Sequence, residues 1–270
     1  MSAETISTSR SRPNGLDPVA AMRLALPREH GSWSLALEPL ALGLLVAPSR
    51  AGIPLALAGI AGFFLRRPTR LLLQSQPDPR RSLAMLAWGI LLPPALAALL
   101  ITAHWGGFSK LWPLIPAALA GLVFIWFDSR GENREGVAEL AGVTAFALLP
   151  ATFASLAGWP SENCLALAAV MLGRSAPTVL AVRTYVRRRK GQSVSSIPAR
   201  LSAIAATGLL CGLATLSLVP WAVAVFSGLL AARTFWFGTT QSSVQLSAKQ
   251  LGLMELLLGI AAVIVAAVAW

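Results

Sequence analysis

Charge is scarce in this chain, and carboxylates scarcest of all. Only 12% of its 270 residues are charged, and 11 Asp and Glu stand against 22 Lys and Arg. A soluble domain carries roughly a quarter charged residues. With 56% of the chain hydrophobic, a soluble fold of this size has too little polar surface to enclose it. Of two histidines, one, His30, stands beside the ionisable groups of the first apolar segment, and a single histidine there gives no haem or zinc pattern to read. The two cysteines, Cys164 and Cys211, lie in or beside apolar segments and form no CxxC pair; they read as packing residues without a redox or metal role. Residues 1–25 lack the apolar stretch of a signal peptide and read as a disordered cytoplasmic tail, which leaves residues 26–270 as the membrane domain.

Long apolar runs recur from residue 35 to the last residue. They predict an all-α, polytopic membrane bundle of about nine transmembrane helices. The segments fall near 31–48, 51–66, 82–102, 111–127, 136–157, 162–185, 199–217, 219–237 and 250–269. Turn chemistry such as "APSRAG", "HWGGFSK", "AGWPSEN" and "RRRKGQ" separates them.

The net charge of +11 does not point to nucleic acid, because the basic residues sit between apolar segments. Nineteen of the 22 fall in the tail and in alternate hinges. Arg50 and Lys110 fall in the others, and Arg174 lies inside a segment. That asymmetry puts the N-terminus inside and the C-terminus outside, in a multi-pass membrane protein whose partner is the lipid bilayer. Oligomeric state is not readable.

Ionisable groups inside a membrane are costly and therefore candidate site residues. Glu38 lies eight residues past His30, about 12 Å along a helix. Arg174 sits near the middle of the sixth segment. Glu139 and Glu255 lie one to two turns inside the fifth and ninth. They suggest a polar cavity open to the cytoplasm, or else a structural ion pair in which Glu38 or Glu139 neutralises Arg174; Arg174 is the partner expected for Glu38. His30 beside Glu29 suits proton transfer at the mouth, so His30, Glu38, Glu139 and Arg174 are the candidate catalytic groups. Arg28, Glu29 and Trp33 flank them on the first segment.

"FDSRGENREGVAELAG" gathers Asp128, Arg130, Glu132, Asn133 and Arg134 at one hinge. Asp128, Glu132 and Asn133 are oxygen donors suited to Mg²⁺ or to a polar substrate group. The same residues also make a solvated turn with Arg130 and Arg134 as counter-charges, and no metal is assigned. In "VRTYVRRRKG", Arg183 and Arg187 share a helix face and, with Tyr185, suit a phosphate at the mouth. Arg174, nine residues earlier, is rotated to the opposite face.

"PREHGSWSLALEPLALGL", "DSRGENREGVAELAG", "VRTYVRRRKG" and "LGLMELLLG" resemble the YwiC-like family of bacterial integral membrane proteins, over residues 27–260. That resemblance implies a multi-pass protein of the bacterial inner membrane and brings no activity with it. The topology is also similar to that of the UbiA superfamily of membrane prenyltransferases, with nine helices, two halves and a cavity under cytoplasmic loops. Those enzymes hold Mg²⁺ and a prenyl diphosphate with aspartate-rich loops. Here the corresponding loops read "RRPTRLLLQSQPDPRR", with Asp78 alone, and Arg183–Arg200, with no carboxylate. The resemblance therefore implies an anionic lipid or isoprenoid ligand held by Arg66, Arg70, Arg183 and Arg187, with Glu255 lining the cavity, and it leaves the cofactor open. Three functions fit: a divergent UbiA-like transferase or ligand-binding protein, a transporter of a small anion or metabolite, and a non-catalytic assembly protein.

Overall fold

The computed structural model describes residues 17–27, 30–74, 78–132, 135–239 and 246–270. These are helical and contain no strand. In order they form α1 (Pro18–Ala25), α2 (His30–Val46), α3 (Gly52–Leu73), α4 (Arg81–Gly106), a 3₁₀ turn (Phe108–Leu111), α5 (Leu114–Ser129), α6 (Gly136–Ala147), α7 (Leu149–Leu156), α8 (Ser161–Arg189), α9 (Ile197–Thr215), α10 (Trp221–Thr239) and α11 (Ala248–Ala269). Each expected apolar segment falls on one helix, except 136–157, which falls on α6 and α7. The break has a local cause. Pro150 lacks the N–H that would bond to the Phe146 carbonyl, so α6 ends at Ala147 and α7 restarts at Leu149 with Pro150 in its first turn, where that N–H is not needed.

Among the described residues, five stretches are long and apolar enough to cross a membrane: Arg81–Gly106, Gly136–Leu156, Ser161–Arg189, Ile197–Thr215 and Lys249–Ala269. Their outer faces carry large apolar side chains such as Leu100, Leu209, Ile264 and Val268. In water this would be an unexplained surface; against lipid it is the expected one.

One expectation is corrected. Residues 18–25, assigned to a disordered tail, form α1. Asp17 caps it by accepting from the Val19 N–H at 2.9 Å, and Pro18 occupies the first helical position. Ala21, Leu24 and Ala25 are buried against α3 and α4. Arg67 also donates to the Leu26 carbonyl at 2.8 Å, tying the end of α1 to α3.

The centre of the bundle is α8, which packs against α6, α7, α9, α10 and α11, while α2 packs against α3, α6, α7 and α11. The main core fills the space between them around Phe153, Leu42, Leu167 and Met171. Phe153 is fully buried because Gly43 and Gly52 bring no side chain: a Cβ at Gly43 would overlap the Phe153 ring. Small residues that let helices approach closely are the main device of membrane packing, since lipid tails remove most of the hydrophobic drive between helices.

Candidate functional site

Four ionisable residues from four helices meet inside the bundle. Glu38 is the midpoint of α2, and Arg174 lies about 20 Å from either end of α8. Glu255 comes from α11 and Arg233 from α10. The expected partnership of Glu38 and Arg174 is present, with 3.5 Å between Arg174 Nη2 and Glu38 Oε1 and each side chain 6% exposed.

The other contacts bind the four into one network. Arg174 Nη2 donates to the Glu255 carbonyl at 2.9 Å, and Nη1 lies 3.8 Å from Glu255 Oε2. Arg233 Nη1 is paired with Glu255 Oε1. Ser34, one turn before Glu38, donates to its carboxylate, and Thr178, one turn after Arg174, accepts from its guanidinium. A Cβ at Gly259 would overlap the Glu38 carboxylate, so the missing side chain on α11 makes the slot in which the charge sits.

Among the described residues, Arg174 Nε donates to no acceptor and Glu255 Oε2 accepts no hydrogen bond. Two small spaces adjoin the guanidinium. One, of about 10 Å³, is lined by Arg174, Thr178, Ser227, Arg233 and Thr234 with apolar neighbours. The other, of about 20 Å³, is lined by Arg174, Ser227 and apolar side chains of α8 to α11. Spaces of this size hold about one water. Pro177 removes the helical donor to the Gly173 carbonyl, and Gly173 lines the first space; Pro39 does the same to Leu35 beside Glu38.

The remaining candidates lie elsewhere. Glu139 pairs with Arg183, Oε2 to Nη1 at 2.7 Å, between α6 and α8. The half-turn between Arg174 and Arg183 thus sends them to different partners. Asp128, buried near the end of α5, faces Arg66 Nε at 3.7 Å and Arg70 Nη1 at 3.5 Å on α3. Arg66 also lies over the Phe124 ring at 4.5 Å. Glu132 is exposed, and Arg130 stacks on Trp126 at 3.9 Å. Tyr185 and Arg189 both donate to the Leu246 carbonyl, at 3.3 and 2.9 Å. Arg187 is half-buried. Trp33 meets Phe63 and Phe64 edge-on, at 5.7 and 5.6 Å between centroids. Arg28, Glu29, Asn133, Arg134 and the His30 side chain lie outside the described residues. No group of three or more His, Cys, Asp or Glu suited to a metal occurs among the described residues.

Sequence reasoning missed Arg233, which it counted with the hinge charges. Its signal was its position in the apolar run Trp221–Trp236 and the shortage of carboxylates to match it.

A helical bundle with lipid-suited outer faces and a charged cluster midway along its central helices marks a multi-pass membrane protein. Residues 26–154, just under half of the chain, match the model of a family described as YwiC-like protein. The match is shorter than the span of the quoted motifs. It includes Glu38, Asp128 and Glu139 and ends before Arg174, Arg183, Arg233 and Glu255. No curated protein and no solved structure matches the chain.

Proposed function

We propose that this chain is a membrane carrier for a small anion, bound midway through the bundle by Arg174 and Arg233. In this reading nine helices cross a bacterial inner membrane with the N-terminus in the cytoplasm, and the structure is a closed form. The observation that carries it is the buried Arg174 guanidinium, whose Nε–H has no acceptor among the described residues and which borders two water-sized spaces, one lined also by Arg233, Thr178 and Ser227 and the other by Ser227. A guanidinium is donor-only and suits an acceptor-only ligand. Buried ion pairs are often neutral or unfavourable for stability, so retaining four such groups in a membrane interior favours a binding role. Pro39, Pro177 and the α6–α7 break free backbone groups near the centre, as the interrupted helices of carriers do.

Reconstitution tests this. Proteoliposomes should show flux of chloride or nitrate above protein-free vesicles, reduced at least tenfold by Arg174→Gln. Flux equal to that of empty vesicles for both anions, with correctly folded protein, sinks the carrier.

A second reading, an anionic lipid-like or isoprenoid ligand at the cytoplasmic mouth of a divergent UbiA-like transferase, is favoured by half-buried Arg187 followed by exposed Arg188, Arg189 and Lys190. There His30 with Glu29 would move protons, and Glu38, Glu139 and Arg174 would line the interior. It draws less support because Arg66, Arg70 and Arg183 already face Asp128 and Glu139. An isoprenoid co-purifying with the wild type and lost in Arg187→Ala, detected by native mass spectrometry, would favour it.

A further inference from the structure

The central cluster is balanced. Two carboxylates, Glu38 and Glu255, face two guanidiniums, Arg174 and Arg233, so its formal charge is zero with all four ionised. A monovalent anion arriving at Arg174 leaves one unit of negative charge in a site that excludes bulk water, where an unbalanced charge is strongly penalised. Neutrality returns if one carboxylate gains a proton.

The geometry selects which one. Glu255 is held by Arg233 and, through its other oxygen, lies 3.8 Å from Arg174. Glu38 faces the single guanidinium of Arg174 at 3.5 Å and the hydroxyl of Ser34. Neutralising Glu38 therefore gives up one ion pair, whereas neutralising Glu255 gives up two. A neutral Glu38 keeps the Ser34 hydroxyl as a partner and the slot at Gly259, and it releases the Nη2 side of Arg174.

Among the described residues, the surroundings supply no rival. The charged groups that face Glu38 are Arg174 from α8 and Glu255 from α11. On the other helices packed against α2, Arg66 and Arg70 of α3 face Asp128, Arg67 of α3 donates to the Leu26 carbonyl, Glu139 of α6 pairs with Arg183, and α7 has no titratable residue.

We propose that anion uptake at Arg174 is coupled to protonation of Glu38, one proton for each monovalent anion. The inference rests on the carrier reading and gives it a stoichiometry: H⁺ and the anion move together without net charge. The anion replaces the Glu38 carboxylate as the partner of Arg174, and the proton resides on a Glu38 oxygen until the anion leaves.

The test uses the full chain in liposomes loaded with a trapped pH-sensitive dye. Nitrate and chloride, anions of strong acids, are the probes, because their acid forms do not carry protons across lipid on their own. An inward nitrate gradient should acidify the lumen without valinomycin and K⁺. In Glu38→Gln the acidification rate should fall at least tenfold, and any nitrate flux should depend on valinomycin. Wild-type flux that requires valinomycin and leaves the lumen pH unchanged overturns the coupling and leaves the carrier standing. Acidification by Glu38→Gln at the wild-type rate also overturns it. Absence of nitrate and chloride flux with or without valinomycin overturns both. The wild-type measurement decides the stoichiometry even if the variant folds poorly.

Discussion

Replacing Arg174 with Met should destabilise this bundle far more than replacing Glu38 with Gln, although the two residues form one ion pair. Arg174 faces two carboxylates, at 3.5 and 3.8 Å, and both side chains of the Glu38–Arg174 pair are 6% exposed. With an effective dielectric constant near 20, each attraction is about 4–5 kcal/mol before the cost of desolvation. Arg174→Met leaves two buried carboxylates to share Arg233, and an uncompensated buried charge costs about 3–5 kcal/mol. Glu38→Gln leaves Arg174 bonded to the Glu255 carbonyl at 2.9 Å and near its carboxylate, so the loss is about 1–2 kcal/mol. The double variant should be more stable than the sum predicts, by about 1–3 kcal/mol, since the charge that Arg174 balanced has also been reduced. Reversible unfolding in mixed micelles, titrated with a denaturing detergent and followed by circular dichroism and tryptophan fluorescence, measures all four corners of the cycle. An Arg174→Met protein within about 0.5 kcal/mol of the parent, or strictly additive losses, would refute the ion-pair account of the cluster.

Two more outcomes follow from other parts of the structure. Gly43→Ala drives a Cβ into the fully buried Phe153 ring and should cost about 1–3 kcal/mol in thermal unfolding, with Phe153→Leu in the same chain recovering part of the loss. At the turn before α4, Arg80 donates to the Asp78 carboxylate from Nε, Nη2 and its backbone N–H, at 3.0, 2.8 and 2.8 Å. These bonds hold the Asp78 carboxyl at about 2, below its ordinary 3.8. Because the folded value is depressed, the stabilisation is present above about pH 4 and is lost as pH falls through about 2. Amide exchange at Arg80 and Arg81 should be constant relative to the intrinsic rate from pH 7 to 4 and lose protection between pH 4 and 2; Arg80→Gln, which keeps only the backbone bond, should make that step smaller and move it to higher pH.

The α3–α4 turn and the cluster differ in how far the sequence reveals them. Asp78 and Arg80 are two residues apart, so their interaction is local and readable from spacing. The Glu38–Arg174 pair was also legible, for a different reason: in an apolar chain with few carboxylates, a guanidinium in mid-segment has few possible partners. Arg233 was not legible. Its spacing relative to Arg174, Glu38 and Glu255 carries no helical periodicity, since the four lie on four helices. Glu139 could as well have met Arg174; the half-turn separating Arg183 from Arg174 was readable, but which helix lay on each side was not. The α1 helix escaped because eight Ala-rich residues are too short to be helical by propensity alone and are held by packing on α3 and α4.

The sequence by itself determined that this chain is a helical protein suited to a membrane, with its breaks at Pro and Gly hinges and interior charges at Glu38, Glu139, Arg174 and Glu255. Those properties follow from composition and local periodicity, which each segment carries alone. Only the tertiary structure decided that Glu38, Arg174, Arg233 and Glu255 form one neutral cluster, that Glu139–Arg183 and Asp128–Arg66–Arg70 stand apart from it, and that glycines on facing helices make the slots for Phe153 and Glu38. The reason is physical. A buried charge must find its opposite within a few ångströms, and among residues separated by tens to hundreds of positions that distance is set by how helices pack against one another, not by their order in the chain.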